Sequence, residues 1–297
     1  MKEILKKIRG IFLPLIGVII ARKRFRSKSY FLCNRGMGDT VIFLSRLKEY
    51  KKINPENEIN IIIQENQSTI ANGYKELLDS ICVIKKESMW CLYRAALYGW
   101  LPTNIKYIIP ENGFSKLGIK NCSIVDLIGE TLGLGDNKYK YDSPQFSWSK
   151  ERKEQVLRET KAIKDQTVIL SPYAFSVPQI EMNLWERVAT LYKESGFQVV
   201  TNQQNSSECP IKGTVGISLP LDEMYLFTEY CGTFIGLRSG LCDLLAFSSC
   251  KMVVFYPSES SIDWKEKFTF KNLYFKKEIE EVREDEFEVW QAKLEKQ

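Results

Sequence analysis

Two glycine-containing segments of the chain combine polar side chains with a backbone that can approach a ligand closely. The first, NRGMGD, lies between an apolar run with strand character and a run with helical spacing. Its glycines allow a tight turn, and the free N–H groups at the start of the next helix favour an anion. Asp39 lies at the start of that helix and is a candidate catalytic residue, with helix capping as the alternative. Three further residues of this segment are predicted to line a cleft between the two halves of the chain: Arg35, Gly36 and Gly38.

The second segment, FIGLRSGLCD, repeats the same order of strand, turn and helix. Arg238 stands where the strand ends, and a guanidinium at that point can bind a diphosphate through two hydrogen bonds. The backbone N–H groups that follow would complete an anion-binding turn, formed by Ser239, Gly240 and Leu241. The alternative is a structural ion pair between Arg238 and Asp243, which is also a candidate for lining the site.

A third segment, SPYA, follows the first predicted strand of the second half of the chain. Its position predicts a loop that contributes Ser171 and Tyr173 to the same cleft. Trp185 and Trp290 could stack on a base or a sugar, but their apolar neighbours favour positions in the core.

Several kinds of chemistry are excluded or disfavoured by composition. The chain contains no His, which removes Ser-His-Asp and Cys-His nucleophile systems. Its eight Cys form no CxxC pair, so we predict no metal site and expect reduced thiols of a cytoplasmic protein. The dinucleotide-binding fingerprint also fails, because Val41 stands where its third glycine would be needed.

Positive charge is concentrated at the N-terminus. The net charge is +5, yet residues 1–28 alone hold nine Lys or Arg and one Glu, so the rest of the chain is slightly acidic. An acidic body argues against nucleic-acid binding. The basic residues flank a short apolar run that is interrupted by Pro14 and Gly17. We therefore predict that residues 1–28 lie on an anionic membrane surface, which would make the protein peripheral on the inner face of the cell membrane. The alternative is a core-packed or disordered tail with no membrane role.

The elements that must position these residues alternate between strand and helix. A polar, aromatic stretch near residues 138–150 marks a domain boundary. We predict a first domain at residues 29–145, a second domain at 146–277 and a C-terminal helix at 278–297. The alternation predicts an α/β fold with two Rossmann-like lobes facing a cleft. Predicted strands cover residues 29–34, 59–64, 82–85, 104–110, 167–171, 197–201, 233–237 and 251–256, and predicted helices 40–50, 68–80, 89–98, 122–134, 150–160, 183–195, 221–230, 240–248 and 278–294.

The order of these motifs resembles the heptosyltransferase-like glycosyltransferases of family 9, which have the GT-B fold. The resemblance is carried by GMGDTVIFLSRL, NCSIVDLIGETLGL, TVILSPYA, LWERVATLYKESGFQVVTNQ and FIGLRSGLCDLLAFSSCKMVVFYP. It spans about residues 30–257 at the level of pattern. Arg238 replaces the usual Asp of the family's donor motif, and Asp243 stands where its His is expected.

The resemblance implies an inverting displacement that needs no metal or cofactor. Asp39 would deprotonate a hydroxyl of a cell-surface glycan or lipid-linked acceptor. Arg238 and the N–H groups after Ser239 would stabilise the departing nucleoside diphosphate of a nucleotide-sugar donor. Neither heptose nor lipopolysaccharide is implied. Two other functions stay open: a nucleotide-sugar epimerase on the same fold, and a non-catalytic protein that binds nucleotides or glycans.

Overall fold

The computed structural model describes residues 2–33, 36–109, 123–175, 177–205, 207–258, 269–273 and 278–295. The chain divides into two compact units, Met1–Pro144 and Gln145–Gln297. Each contains a β-sheet in which the described strand pairs are all parallel. The molecule is therefore mixed α/β with two parallel sheets, as the alternation of elements predicts. The cleft between two lobes stays a prediction.

The sheet of the first unit has four strands in the order β3-β2-β1-β4. Because this order reverses after β1, the sheet has a switch point between β1 and β4. The strands are β1 (Tyr30–Leu32), β2 (Asn60–Gln64), β3 (Ser80–Ile84) and β4 (Ile105–Tyr107). The helices are α1 (Lys2–Arg24), α2 (Met37–Leu44), α3 (Leu47–Ile53), α4 (Ser68–Asn72), α5 (Lys86–Leu97) and α6 (Ile124–Leu132).

The sheet of the second unit has six strands in the order β10-β9-β8-β5-β6-β7. This is the order of doubly wound nucleotide-binding sheets, and its switch point lies between β5 and β8. The strands are β5 (Thr167–Ser171), β6 (Gln198–Asn202), β7 (Val215–Ile217), β8 (Gly232–Leu237), β9 (Lys251–Tyr256) and β10 (Ile279–Arg283). The helices are α7 (Lys150–Thr160), α8 (Met182–Glu194), α9 (Leu221–Cys231), α10 (Gly240–Leu245) and α11 (Phe287–Leu294).

The central strands are continuous apolar runs because helices cover both faces of a parallel sheet. Every residue of β5, which reads TVILS, is buried. In the second unit the core gathers around Phe255, whose ring lies 5.4 Å from that of Trp185 and 5.2 Å from that of Trp290. Both tryptophans are buried, so the favoured prediction of core positions is confirmed.

The predicted C-terminal helix is wrong in its first half. Residues Ile279–Arg283 form β10, which pairs with β9 at the edge of the sheet, and the helix begins only at Phe287. Phe287, Trp290 and Leu294 have helical spacing and pack on the core of the second unit, whereas Val282 does not continue that spacing. The strand escaped prediction because its sequence, IEEVR, is mostly charged, which an edge strand tolerates.

Two other predicted helices differ from the structure. The helix predicted over residues 40–50 begins earlier, at Met37, and breaks between Leu44 and Leu47 into α2 and α3. The helix predicted over residues 68–80 ends at Asn72, and a 3₁₀ turn leads from it to β3. Cys122, the predicted start of the helix observed as α6, lies outside the described residues.

Candidate functional site

The first candidate turn follows β1, at the switch point of the first sheet. Gly36 has extended backbone and occupies the position just before α2. Asp39 is half-buried in the first turn of that helix, so Gly36, not Asp39, is the N-terminal cap. The Asp39 carboxylate folds back toward Gly36, where an added Cβ would lie 3.1 Å from Oδ2. Gly38 lies between them in the same turn of helix, and Arg35 lies outside the described residues.

This turn is fixed to the end of the neighbouring strand β2 by a buried glutamine. The Gln67 side-chain amide donates to the carbonyl oxygen of Gly36 at 3.2 Å and to Thr40 Oγ1 at 2.9 Å. Thr40 Oγ1 in turn donates to the same Gly36 carbonyl at 3.1 Å. Sequence reasoning missed Gln67, and its only signal was a polar residue shortly after a buried strand. These bonds define where the helix starts and therefore where Asp39 stands.

The second candidate turn joins β8 to α10, at the switch point of the second sheet. Arg238 and Asp243 are only 5% and 3% exposed and form a bidentate ion pair. Arg238 Nη1 and Nη2 donate to the two carboxylate oxygens at 3.0 and 2.7 Å. Nη1 also donates to the carbonyl oxygen of Ser239 at 2.7 Å, and the guanidinium lies 4.9 Å from the centre of the Phe270 ring. The guanidinium thus binds its own turn.

The electrostatics of the pair reflect burial and mutual attraction. Burial lowers the pKa of Arg238, but the neighbouring Asp243 carboxylate outweighs it and the pKa is raised overall. Burial raises the pKa of Asp243, and the guanidinium offsets part of that rise. The geometry favours the ion pair that the sequence left as the alternative to direct diphosphate binding. Because the pair is neutral as a whole, an anion at this turn would depend on backbone donors.

Those donors are the backbone N–H groups at the start of α10. Ser239 is the residue before the helix, and Gly240 and Leu241 are its first two members. The first N–H groups of any helix have no acceptor within the helix. Ser239 and Gly240 are also half-exposed, in contrast to the buried ion pair behind them. The turn therefore exposes backbone N–H groups to solvent, while the buried ion pair of Arg238 and Asp243 holds the turn in place.

The predicted loop after β5 lies at the same edge of the second sheet. Ser171 is the last residue of β5 and stands beside Gly236 of β8 in the register of the sheet. Its hydroxyl accepts a hydrogen bond at 3.0 Å from the side chain of Asn202, which ends β6 and was not predicted. Tyr173 donates to the carbonyl oxygen of Cys209, so its hydroxyl is tied to the loop that follows β6. Ser171 and the Ser239 turn thus flank the switch point.

A metal centre is not formed by the part of the chain that the structure describes. Within those residues, no group of three or more His, Cys, Asp or Glu side chains could hold a metal ion. The seven described cysteines are free thiols. Burial raises the pKa of Cys33 and Cys231 well above the ordinary thiol value, which opposes thiolate formation.

No family model matches the chain, and no curated protein matches it in a sequence search. Solved structures do match. A family 9 glycosyl transferase from Veillonella parvula DSM 2008 is similar over 90% of this chain and 89% of its own, with a TM-score of 0.63 and 14% identity. The E. coli ADP-heptose LPS heptosyltransferase II matches over 90% and 99%, with a TM-score of 0.60 and 11% identity.

The E. coli heptosyltransferase WaaC, solved with ADP-2-deoxy-2-fluoro heptose, matches over 81% of this chain and 92% of its own. Its TM-score is 0.52 and its identity 11%. At such low identity these similarities establish the fold and not the activity. The fold is that of the family 9 glycosyltransferases, as the sequence motifs predict.

Proposed function

We propose that the chain is a glycosyltransferase that moves a hexose or heptose from a nucleotide-diphosphate sugar to a hydroxyl of a cell-surface glycan or lipid-linked acceptor. The main support for this proposal is the position of two glycine-containing turns. In a fold shared with family 9 glycosyltransferases, each of the two sheets has a glycine-containing turn at its switch point, where α/β sheets bind ligands. The WaaC structure contains an ADP-heptose analogue, so ADP-sugars are the first donors to test.

The donor is assigned to the second unit. The N–H groups of Ser239, Gly240 and Leu241 would bind the diphosphate, since they are the donors that the β8–α10 turn presents. Arg238 supports this turn through its bonds to Asp243 and to the Ser239 carbonyl. Its role is then to position the backbone donors.

The acceptor is assigned to the first unit, with Asp39 as the general base. Its carboxylate would take the proton of the acceptor hydroxyl as that oxygen attacks the anomeric carbon of the sugar. The bond from this carbon to the diphosphate oxygen breaks in the same step, with inversion, and the electron pair leaves on the nucleoside diphosphate. A half-buried carboxylate held in a helix turn fits this role because its position is fixed while it stays reachable.

The proposal also covers the metal requirement and the cellular location of the reaction. Transfer needs no metal ion, because the backbone donors that Arg238 holds in place stabilise the leaving group; the rate should therefore survive EDTA. The reaction takes place in the cytoplasm on the inner face of the cell membrane. The described cysteines are free thiols, which suits a reducing compartment.

The donor assignment is tested by removing one backbone donor. Proline is tolerated at the first position of a helix and lacks an N–H group, so Gly240→Pro deletes a single proposed contact to the diphosphate. A hydrogen bond to a charged group contributes about 1.5–3 kcal/mol. Calorimetric affinity for the ADP-sugar or other nucleotide-diphosphate sugar that binds should therefore fall roughly tenfold to a hundredfold.

Gly240→Ala is the matched control, because it changes the side chain and keeps the N–H group. It should bind the donor with nearly the affinity of the wild type. Equal affinity of the proline variant and the wild type would refute the donor assignment, provided that both variants unfold at similar temperatures.

A further inference from the structure

The N-terminal helix α1 packs against α5 through one face. Pro14, Gly17 and Ala21 are buried on that face. The approach at Gly17 is so close that an added Cβ would lie 2.2 Å from the carbonyl oxygen of Cys91 and 3.0 Å from the Ala95 side chain. The helix is therefore seated on the first unit, and its rotation about its own axis is fixed.

The opposite face of α1 carries an exposed apolar stripe. Its members are large side chains with exposed fractions of 62, 46, 40 and 53%: Phe12, Leu15, Ile16 and Ile19. The spacing of three, four and seven residues places them on one side of a helix. At 3.6 residues per turn, the centre of this stripe lies roughly 180° from the centre of the packed face. The stripe is thus directed away from the body of its unit.

Exposed cations continue the stripe at its C-terminal end. Arg22 and Lys23 lie one turn beyond Ile19 on the same side of the helix, and both are exposed. Further basic residues surround the stripe in sequence: Lys2, Lys6, Lys7 and Arg9 before it, and Arg24, Arg26 and Lys28 after it. An apolar face bordered by cations matches the boundary between acyl chains and anionic headgroups.

We propose that α1 lies flat on an anionic lipid bilayer, with the Phe12–Ile19 stripe in the headgroup and acyl boundary and Arg22 and Lys23 on lipid phosphates. Among the described residues, no helix has the length and hydropathy to cross a membrane. A second copy of the chain is a poorer occupant of the stripe. Both ends of α1 are basic, so pairing two copies in either direction brings like charges together. The proposal is independent of glycosyl transfer.

Vesicle co-sedimentation of the full chain tests the apolar stripe. Wild-type protein should bind vesicles of phosphatidylcholine and phosphatidylglycerol, and added salt should weaken binding. The double substitution Ile16→Glu with Ile19→Glu should lower the partition coefficient about tenfold or more, since it puts two carboxylates into the boundary. Val289→Glu is the matched control: Val289 is also an exposed aliphatic on a helix, in the second unit, and its substitution should not change binding.

A second pair of substitutions tests the cations. Arg22→Glu with Lys23→Glu should reduce binding to the anionic vesicles severalfold and leave the weak binding to pure phosphatidylcholine unchanged. Circular dichroism should show unaltered helix content in every variant, because the substituted side chains are exposed. Wild-type affinity in the Ile16, Ile19 variant would overturn the proposal. So would a wild-type dimer that binds no vesicles and becomes monomeric in that variant, because the stripe would then join two copies of the chain.

Discussion

At the scale of single residues, the pair of Arg238 and Asp243 shapes the donor turn. The ion pair spans five positions in sequence and closes the β8–α10 turn on itself, with the Ser239 carbonyl as a third partner. Two buried charges are tolerated only when each satisfies the other. The pair therefore holds the backbone donors in place. Its loss should mainly lower the free energy of unfolding of the second unit.

Asp243→Asn should destabilise the second unit by about 3–5 kcal/mol, because it leaves the guanidinium of Arg238 buried without a counter-ion. Urea unfolding monitored by fluorescence measures this change. The matched control is Glu288→Gln, which breaks the bidentate pair of Glu288 with Arg187 at the exposed surface. Its unfolding midpoint should hardly move. Similar small shifts in both variants would show that burial of the Arg238 pair contributes little.

From the sequence, direct binding of a diphosphate was the prediction for Arg238, and the ion pair with Asp243 was the alternative. The decision depends on burial, and burial depends on residues distant in sequence, such as Phe270, whose ring lies beside the guanidinium. Gln67 shows the same limit in the first unit. Gln67 contacts the Gly36 turn only because β2 pairs with β1, and the local sequence does not predict that pairing.

At the scale of elements, α6 shows how charge fixes the start of a helix. Ser123 and Asp126 form a capping box, in which Ser123 Oγ accepts from the Asp126 N–H and the Asp126 carboxylate accepts from the Ser123 N–H at 2.7 Å. Lys138 Nζ lies 2.8 Å from the same carboxylate. Burial alone would raise the pKa of Asp126, but hydrogen bonds from Lys138 and Ser123 outweigh it and the pKa is lowered.

A lowered pKa in the folded state makes the contribution of Asp126 to stability depend on pH. The contribution is present above the unfolded-state pKa of about 3.9 and is lost as pH falls through the lower pKa of the folded state. Asp126→Asn should therefore cost about 1 kcal/mol near neutral pH. The difference from wild type should vanish in acid.

Unfolding by urea at a series of pH values measures this dependence. Asp136→Asn, at an exposed position in the 3₁₀ turn after α6, controls for the loss of one negative charge. A wild-type advantage over Asp126→Asn that persists unchanged in strong acid would contradict the assignment.

Elements were predictable where burial leaves a strong pattern in the sequence. The apolar runs of β2, β5 and β9 and the amphipathic face of α8 have such patterns. β10 does not, because an edge strand tolerates Glu280 and Glu281 on a partly solvated surface. The helical form of α1 was not predicted either, since Pro14 and Gly17 argue against a helix in isolation. Packing on α5 compensates for both residues, and Gly17 is needed for the close approach.

At the scale of the whole molecule, both parallel sheets have a reversal of strand order next to a glycine-containing turn. In the first sheet the order reverses after β1, and in the second after β5, and each reversal is bordered by a glycine-containing turn. Parallel strands with alternating helices predict such sheets from sequence. Local sequence patterns do not predict the order of strands within a sheet. The positions of the switch points are therefore known only from the structure. The proposed function assigns the acceptor to the turn of the first sheet and the donor to the turn of the second.

Acceptor-dependent release of nucleoside diphosphate tests that claim most directly. Purified protein is incubated with the nucleotide-diphosphate sugar that binds in calorimetry, with and without a membrane glycolipid extract, and compared with Asp39→Asn and with Asp136→Asn as control. The wild type and the control should release nucleoside diphosphate only when the extract is present. Asp39→Asn should bind the donor normally and turn over about 10²- to 10⁴-fold more slowly. Donor conversion without the extract would indicate an epimerase, and binding without turnover a non-catalytic protein. Either result, or full turnover by Asp39→Asn, would contradict the account.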